Sequence, residues 1–142
     1  MSEEEVAAFL EEGRKLQLAT INPDGTPHLV TMFYGLDKGR ITFWTYAKSQ
    51  KALNLSRDPR VSCLIEQGDD YSELRGVLVY GRVTPLDGPD GVLNVGMQVA
   101  RRMTPGVPDE QLRPYVEHTG RKRLAYVVEP GKVVSWDHRR IS

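Results

Sequence analysis

Apolar and polar positions along this chain change period several times, and each change marks an element. Val6, Phe9 and Leu10 share one face of a helix expected over 3–12, with Ser2 as N-cap, Glu3, Glu4 and Glu5 in the first turn and Gly13 as its stop. From Leu16 the period drops to two. Leu16, Leu18 and Thr20 alternate with Gln17, Ala19 and Ile21 up to Asn22-Pro23-Asp24-Gly25, a turn in which glycine supplies the positive φ. Residues 27–35 read as the partner strand, and a second turn at Leu36-Asp37-Lys38-Gly39 leads into a strand over 40–46. These three are expected to form an antiparallel meander. Both faces of the second and third strands are apolar or aromatic: Leu29, Thr31 and Phe33 against Val30, Met32 and Tyr34, then Ile41 and Phe43 against Trp44 and Tyr46. One face is expected to fill a barrel while the other meets a helix, a ligand or a second subunit.

Further along, Ser49 caps a short helix over 49–57 that Asp58-Pro59 ends, and a strand follows over 60–66. A polar loop at 67–72 precedes a long strand over 74–86, whose Gly76 and Gly81 mark bends or bulges. Val92, Val95, Val99 and Met103 fall at helical spacing, and after the break at 104–108 a second helix covers 109–118. The chain closes with a hairpin of 123–129 and 132–137 about a Pro130-Gly131 type II turn. Seven strands with short helices in the crossovers predict a mainly β protein, a small β-barrel with helical decoration.

Composition narrows the function classes. The 142 residues suit one domain, 1–142, and 39% apolar with 27% charged residues excludes a disordered chain. Nineteen basic residues balance nineteen acidic ones, so no global field favours nucleic acid or an anionic membrane. The longest apolar runs, such as Val77-Leu78-Val79-Tyr80, are far too short for a membrane span, and the N-terminus is acidic where a signal peptide is basic. Cys63 is alone and reads as a small buried hydrophobe, while His28, His118 and His138 lack metal-ligand spacing. A cytoplasmic protein without a metal site is expected.

The segment Thr45-Tyr46-Ala47-Lys48-Ser49-Gln50-Lys51 carries the candidate chemistry. A strand ends there and a helix begins, with two lysines and two hydroxyls at the junction. Helix N-terminal N–H groups attract anions, Thr45 and Ser49 can donate to phosphate oxygens, and Lys48 and Lys51 can project from one side. An N-capped surface helix with solvated lysines accounts for the same residues.

A wider pattern spans the chain: Leu18-Ala19-Thr20 with Pro23-Asp24-Gly25-Thr26-Pro27, Ile41-Thr42-Phe43-Trp44-Thr45, and Ser49-Gln50-Lys51-Ala52-Leu53-Asn54-Leu55. Asp58-Pro59-Arg60-Val61-Ser62, the strand at 76–83 and Val134-Ser135-Trp136-Asp137 complete it. In order and spacing the chain resembles the pyridoxamine 5′-phosphate oxidase-like split-barrel superfamily over nearly all its length. The resemblance implies a six- to seven-stranded antiparallel Greek-key split barrel that forms a homodimer with a flavin or deazaflavin at the interface. The superfamily's Ser-Arg-Lys phosphate motif falls on Ser49, Gln50 and Lys51. By the same match Lys48 joins the phosphate site and Asn54 sits nearby. Val30, Thr31 and Met32 lie along the cofactor ring, and Trp44 and Thr45 match the residues at the end of the next strand. Trp136 either stacks beside the cofactor or anchors the core or an interface.

Departures from the pattern refine the expectation. The arginine of the FMN-oxidase motif is Gln50, a glutamine that contacts FMN falls on Gly76, and the longer segment that grips pyridoxal phosphate is missing before Ser142. Vitamin B6 oxidation is therefore not expected. Residues 45–51 and the Trp-Asp-His-Arg-Arg tail resemble the branch that uses the deazaflavin coenzyme F420. This implies hydride transfer from the reduced deazaflavin to an electron-poor small-molecule substrate. An FMN-binding reductase or oxidase of the same fold, and a non-catalytic cofactor or tetrapyrrole binder, are the alternatives. Arg101-Arg102 and Arg121-Lys122-Arg123 are solvated or acid-paired, or else meet the glutamate tail of F420.

Overall fold

The structure, a computed structural model, describes residues 1–140. Its centre is one curled antiparallel sheet of β1 (Lys15–Ile21), β2 (Pro27–Phe33), β3 (Gly35–Asp37), β4 (Arg40–Tyr46), β5 (Arg60–Gln67), β6 (Arg75–Pro85) and β7 (Arg123–Asp137). Across the sheet the order is β2-β1-β5-β6-β7-β4-β3. The two edge strands are consecutive in the chain, with Tyr34 alone between them, so the sheet curls until its edges meet in one bent strand. The first half of that strand pairs with β1, from Lys15↔Phe33 to Ile21↔Pro27, and the second half with β4, from Gly35↔Thr42 to Asp37↔Arg40. This is the mainly β split barrel, decorated by α1 (Glu3–Glu12), α2 (Gln50–Arg57), α3 (Gly88–Met103) and α4 (Asp109–Gly120).

One expectation is refined and one is corrected. The first hairpin forms, with Gly25 at φ 86°, and the meander continues into β4 through the short second half of the bent strand, with Gly35 opposite Thr42, while the other edge of β4 pairs with β7. The C-terminal hairpin is absent. Residues 123–137 are one strand paired with β6 from Arg75↔Asp137 to Pro85↔Tyr126. Register jumps from Tyr80↔Lys132 to Gly81↔Pro130, so Gly131 is the extra residue of a β-bulge. A bulge suits proline, which has no N–H to give to a ladder. The total of seven strands stands, with β3 gained and the second arm of the hairpin merged into β7.

Burial explains the two-sided apolar pattern of β4. Ile41 and Phe43 point into the barrel with Leu16, Leu18, Cys63, Ile65 and Val77. Trp44 points outward into a second cluster with Val95, Val99, Leu112 and Val116 of α3 and α4. Cys63 is fully buried, as expected, and burial pushes its thiol up to about 12. On β2, by contrast, Leu29 stays 68% exposed. Among the described residues no helix is long and apolar enough to cross a membrane.

Tyr34 fastens the bend. It is fully buried, and its hydroxyl donates to the carbonyl of Leu10 in the last turn of α1. Burial raises that phenol to about 12. Arg102 of α3 lies over the ring at 5.0 Å and donates to the carbonyls of Gly13 (3.1 Å) and Glu11 (3.3 Å). Helix α1 has no basic residue in its own last turn, so α3 supplies the missing cation.

At the other end of β7, the Asp137 carboxylate is 4% exposed and accepts from Arg139 Nε (2.9 Å) and Nη2 (2.8 Å). Those bonds hold it at about pKa 2, and Arg60 holds Asp58 at about 2 in the same way. A carboxylate lowered by folding contributes stability above its unfolded value of 3.8 that is lost as pH falls toward 2. Asp137→Asn is therefore expected to melt below the wild type at neutral pH and to converge with it near pH 2. Parallel melting curves across that range would contradict the pairing.

Candidate functional site

Where β4 ends, the chain makes a turn before α2 begins. The Ala47 N–H donates to the Lys122 carbonyl at 2.9 Å, which carries the β4–β7 pairing one step further, and the Ser49 N–H donates to Tyr46 at 3.0 Å. Ser49 is thereby set as N-cap, its Oγ accepting from the Ala52 N–H at 3.2 Å. Thr45 Oγ1, buried, lies 3.0 Å from Ser49 Oγ. Whichever of these two hydroxyls donates to the other, one hydroxyl hydrogen of the pair remains free. The N–H groups of Gln50 and Lys51 have no acceptor among the described residues, as the first turn of a helix requires.

Asn54 holds this helix in place. It is completely enclosed, and its Nδ2 donates to Thr20 Oγ1 and Asn22 Oδ1, both at 3.0 Å. Its Oδ1 accepts from Gln50 Nε2 at 2.8 Å and from Arg57 Nη2 at 3.5 Å. The amide is fully used, so Asn54 ties α2 to the end of β1 and has nothing left for a ligand. Gln50 is turned back along the helix by the same bond.

Lys51, half-buried at the helix start, lies close enough to Arg123 of β7 to feel its charge. Arg123 stands opposite Tyr46 in the β4–β7 register, and its guanidinium lies 4.1 Å from the Tyr46 ring and 4.5 Å from the Trp44 ring. Its Nε is buried with no hydrogen-bond partner among the described residues. Partial burial lowers the Lys51 pKa first, and the charge of Arg123 lowers it further. Among the described residues neither cation belongs to an ion pair. Two like charges that repel each other without a carboxylate partner are a place where an anion would be favourable. A lysine whose pKa is lowered by folding costs stability while it is charged. Lys51→Met is therefore expected to raise the melting temperature of the ligand-free protein at pH 7 by about 1–3 °C. A lower melting temperature would remove the repulsion argument.

The other expected site residues are spread more widely. Lys48 is exposed beside the cap. On β2, Val30 and Met32 pack against the barrel interior and Thr31 is exposed. Trp44 is 5% exposed and presents its ring to Arg123. Trp136 lies at the opposite end of β7 from Arg123, paired with Gly76. A β-carbon at Gly76 would stand 2.2 Å from Trp136 Cζ2, so the indole lies flat on that glycine. The basic runs also separate. Arg101 pairs with Asp109 at 2.7 Å and Arg102 caps α1, whereas Arg123 joins the cluster at α2. In the sequence Arg123 stands only in a basic run, because Lys51, whose charge it feels, is about 70 residues away.

Fold and site together define a split-barrel protein with two cations, in no ion pair among the described residues, beside a helix start. The pyridoxamine 5′-phosphate oxidase family matches residues 2–136, and the chain belongs to that family. It is 36% identical to the pyridoxine/pyridoxamine 5′-phosphate oxidase of Cupriavidus taiwanensis over 83 residues, 57% of this chain and 37% of that enzyme. The match thus spans little more than a third of that relative. Among solved structures, a conserved hypothetical protein of Mycobacterium tuberculosis, Rv2991, is 45% identical with a TM-score of 0.90, covering 98% of this chain and 86% of that one. An F420 reductase is 25% identical with a TM-score of 0.69, covering 89% and 94% respectively.

Proposed function

We propose that the protein is an oxidoreductase that uses reduced coenzyme F420 to reduce an electron-poor small molecule, working as a homodimer. The observation that carries this reading is the uncompensated pair Lys51 and Arg123 beside the free N–H groups of α2. A phosphate monoester matches that donor set, with two cations, the free hydroxyl hydrogen of Thr45 and Ser49, and the helix N-terminus. Ser49, Lys51 and Arg123 hold the phosphate, Lys48 adds charge at its exposed side, and Asn54 and Gln50 fix the helix that presents them. When bound, the deazaflavin supplies the hydride chemistry. F420 and FMN share the ribityl phosphate, so the choice between them rests on other residues. Gln50 in place of an arginine, and an indole on Gly76 that leaves no room for a glutamine, support the deazaflavin, as does the likeness to an F420 reductase. Exposed Leu29, Tyr80, Val133 and Val134 support the dimer.

Parallel fluorescence titrations with oxidised F420 and with FMN test the reading. Saturable F420 binding with FMN at least about tenfold weaker is the expected result. The reverse preference assigns the cradle to FMN, and binding of neither overturns it. Sedimentation at micromolar concentration is expected to give a dimer of the 16.0 kDa chain.

A further inference from the structure

A separate cavity of about 620 Å³ opens on the flank of α2 that carries Ala52, Leu55 and Ser56, between the β6–α3 connection, α4 and β7. Leu55, Leu86, Val92, Leu93, Val116 and Leu124 make its walls aliphatic. Its charged lining residues, Asp87, Glu117 and Arg121, are all exposed and stand at the rim. Trp44 divides this cavity from the cation pair. One face of the indole carries the Arg123 guanidinium, and the Cζ3 edge lies 3.6 Å from where a β-carbon at Gly120 would stand in the cavity wall. Cradle and cavity are thus one residue apart in sequence, at Lys51–Ala52 and Arg123–Leu124, with opposite chemistry.

We infer that this cavity binds a neutral, apolar small molecule, at a site distinct from Lys51 and Arg123. The volume lies within the roughly 300–1,000 Å³ of small-molecule sites. Away from Ser56, Tyr126 and the charged rim, the aliphatic walls offer a polar ligand few partners, and desolvating one there is unfavourable. A protein segment seated here would bury the rim carboxylates of Asp87 and Glu117, whereas a small molecule leaves them hydrated. Naming the occupant as the electron acceptor rests on the function proposed above, under which it takes a hydride from the reduced cofactor and a proton from water. Its binding does not rest on that function.

The test uses the full chain without cofactor and N-phenyl-1-naphthylamine, a neutral probe that brightens in apolar sites. Saturable binding of one probe per chain is expected. Ser56→Phe and Leu124→Phe, at positions that already touch solvent, are each expected to weaken it by about tenfold or more while F420 affinity stays within about twofold. Unchanged melting temperatures show that both variants are folded. Probe binding that neither substitution weakens overturns the inference. Binding that disappears as the protein is concentrated also overturns it, because the occupant is then a second copy of the chain. If F420 fails to bind the wild type while the probe result holds, the cofactor reading falls and the cavity assignment stands.

Discussion

Arg123→Leu is expected to weaken binding of the phosphate-bearing cofactor by roughly 10–150-fold, and Lys51→Met by a similar factor. That range corresponds to the roughly 1.5–3 kcal/mol of a hydrogen bond to a charged group. Both cations are partly desolvated, which strengthens their attraction for an anion relative to fully hydrated lysines. Arg123→Lys keeps the charge but loses the planar group that lies on Trp44 and Tyr46, so it is expected to recover only part of the affinity. Lys122→Ala, an exposed neighbour, is expected to change affinity by less than about twofold. Titrating the four variants under one salt condition decides the matter. Wild-type affinity in both Arg123→Leu and Lys51→Met would remove the cradle.

Asn54→Ala is expected to lower the unfolding free energy by about 2–4 kcal/mol, read from denaturant titration. The size follows from what the side chain leaves behind. Thr20 Oγ1, Asn22 Oδ1 and the Gln50 amide lose a partner in a region that Asn54 fills without any exposure, and stranded buried polar groups cost about 1–3 kcal/mol each before relaxation. A loss below about 0.5 kcal/mol would show that α2 is held by its apolar face alone. This variant and those of Arg123 and Lys51 separate two roles that a shared motif merges. Asn54 positions the helix, and in the proposed function the two cations meet the ligand.

Much of the local structure is legible in the sequence because its causes are local. Ser2 and Ser49 cap helices as side chains of their kind do, Gly25 closes the first hairpin, and β4 reads as buried on both faces. Pairing partners are not local. Residues 40–46 read as the next member of a meander, and Thr42 does pair with Gly35, but its other edge pairs with Val127, and nothing near Thr42 in the chain encodes that second choice. Pro130-Gly131 has turn composition, yet the long facing strand β6 keeps β7 extended and absorbs the extra residue as a bulge. The site divides along the same line. The helix-start segment, with Ser49 and Lys51, is visible as a motif, whereas Arg123 becomes part of it only when β7 lies beside β4.

The position of β7 between β6 and β4 also sets when the molecule can form on the ribosome. Strand β4 has β3 and β7 as its neighbours, and β3 is three residues long. Until residues 123–127 have left the exit tunnel, Ile41, Phe43 and Trp44 lack the strand that shields them. Nascent chains halted before Arg123 are therefore expected to be insoluble or held by chaperones, and the barrel closes only once β7 is available.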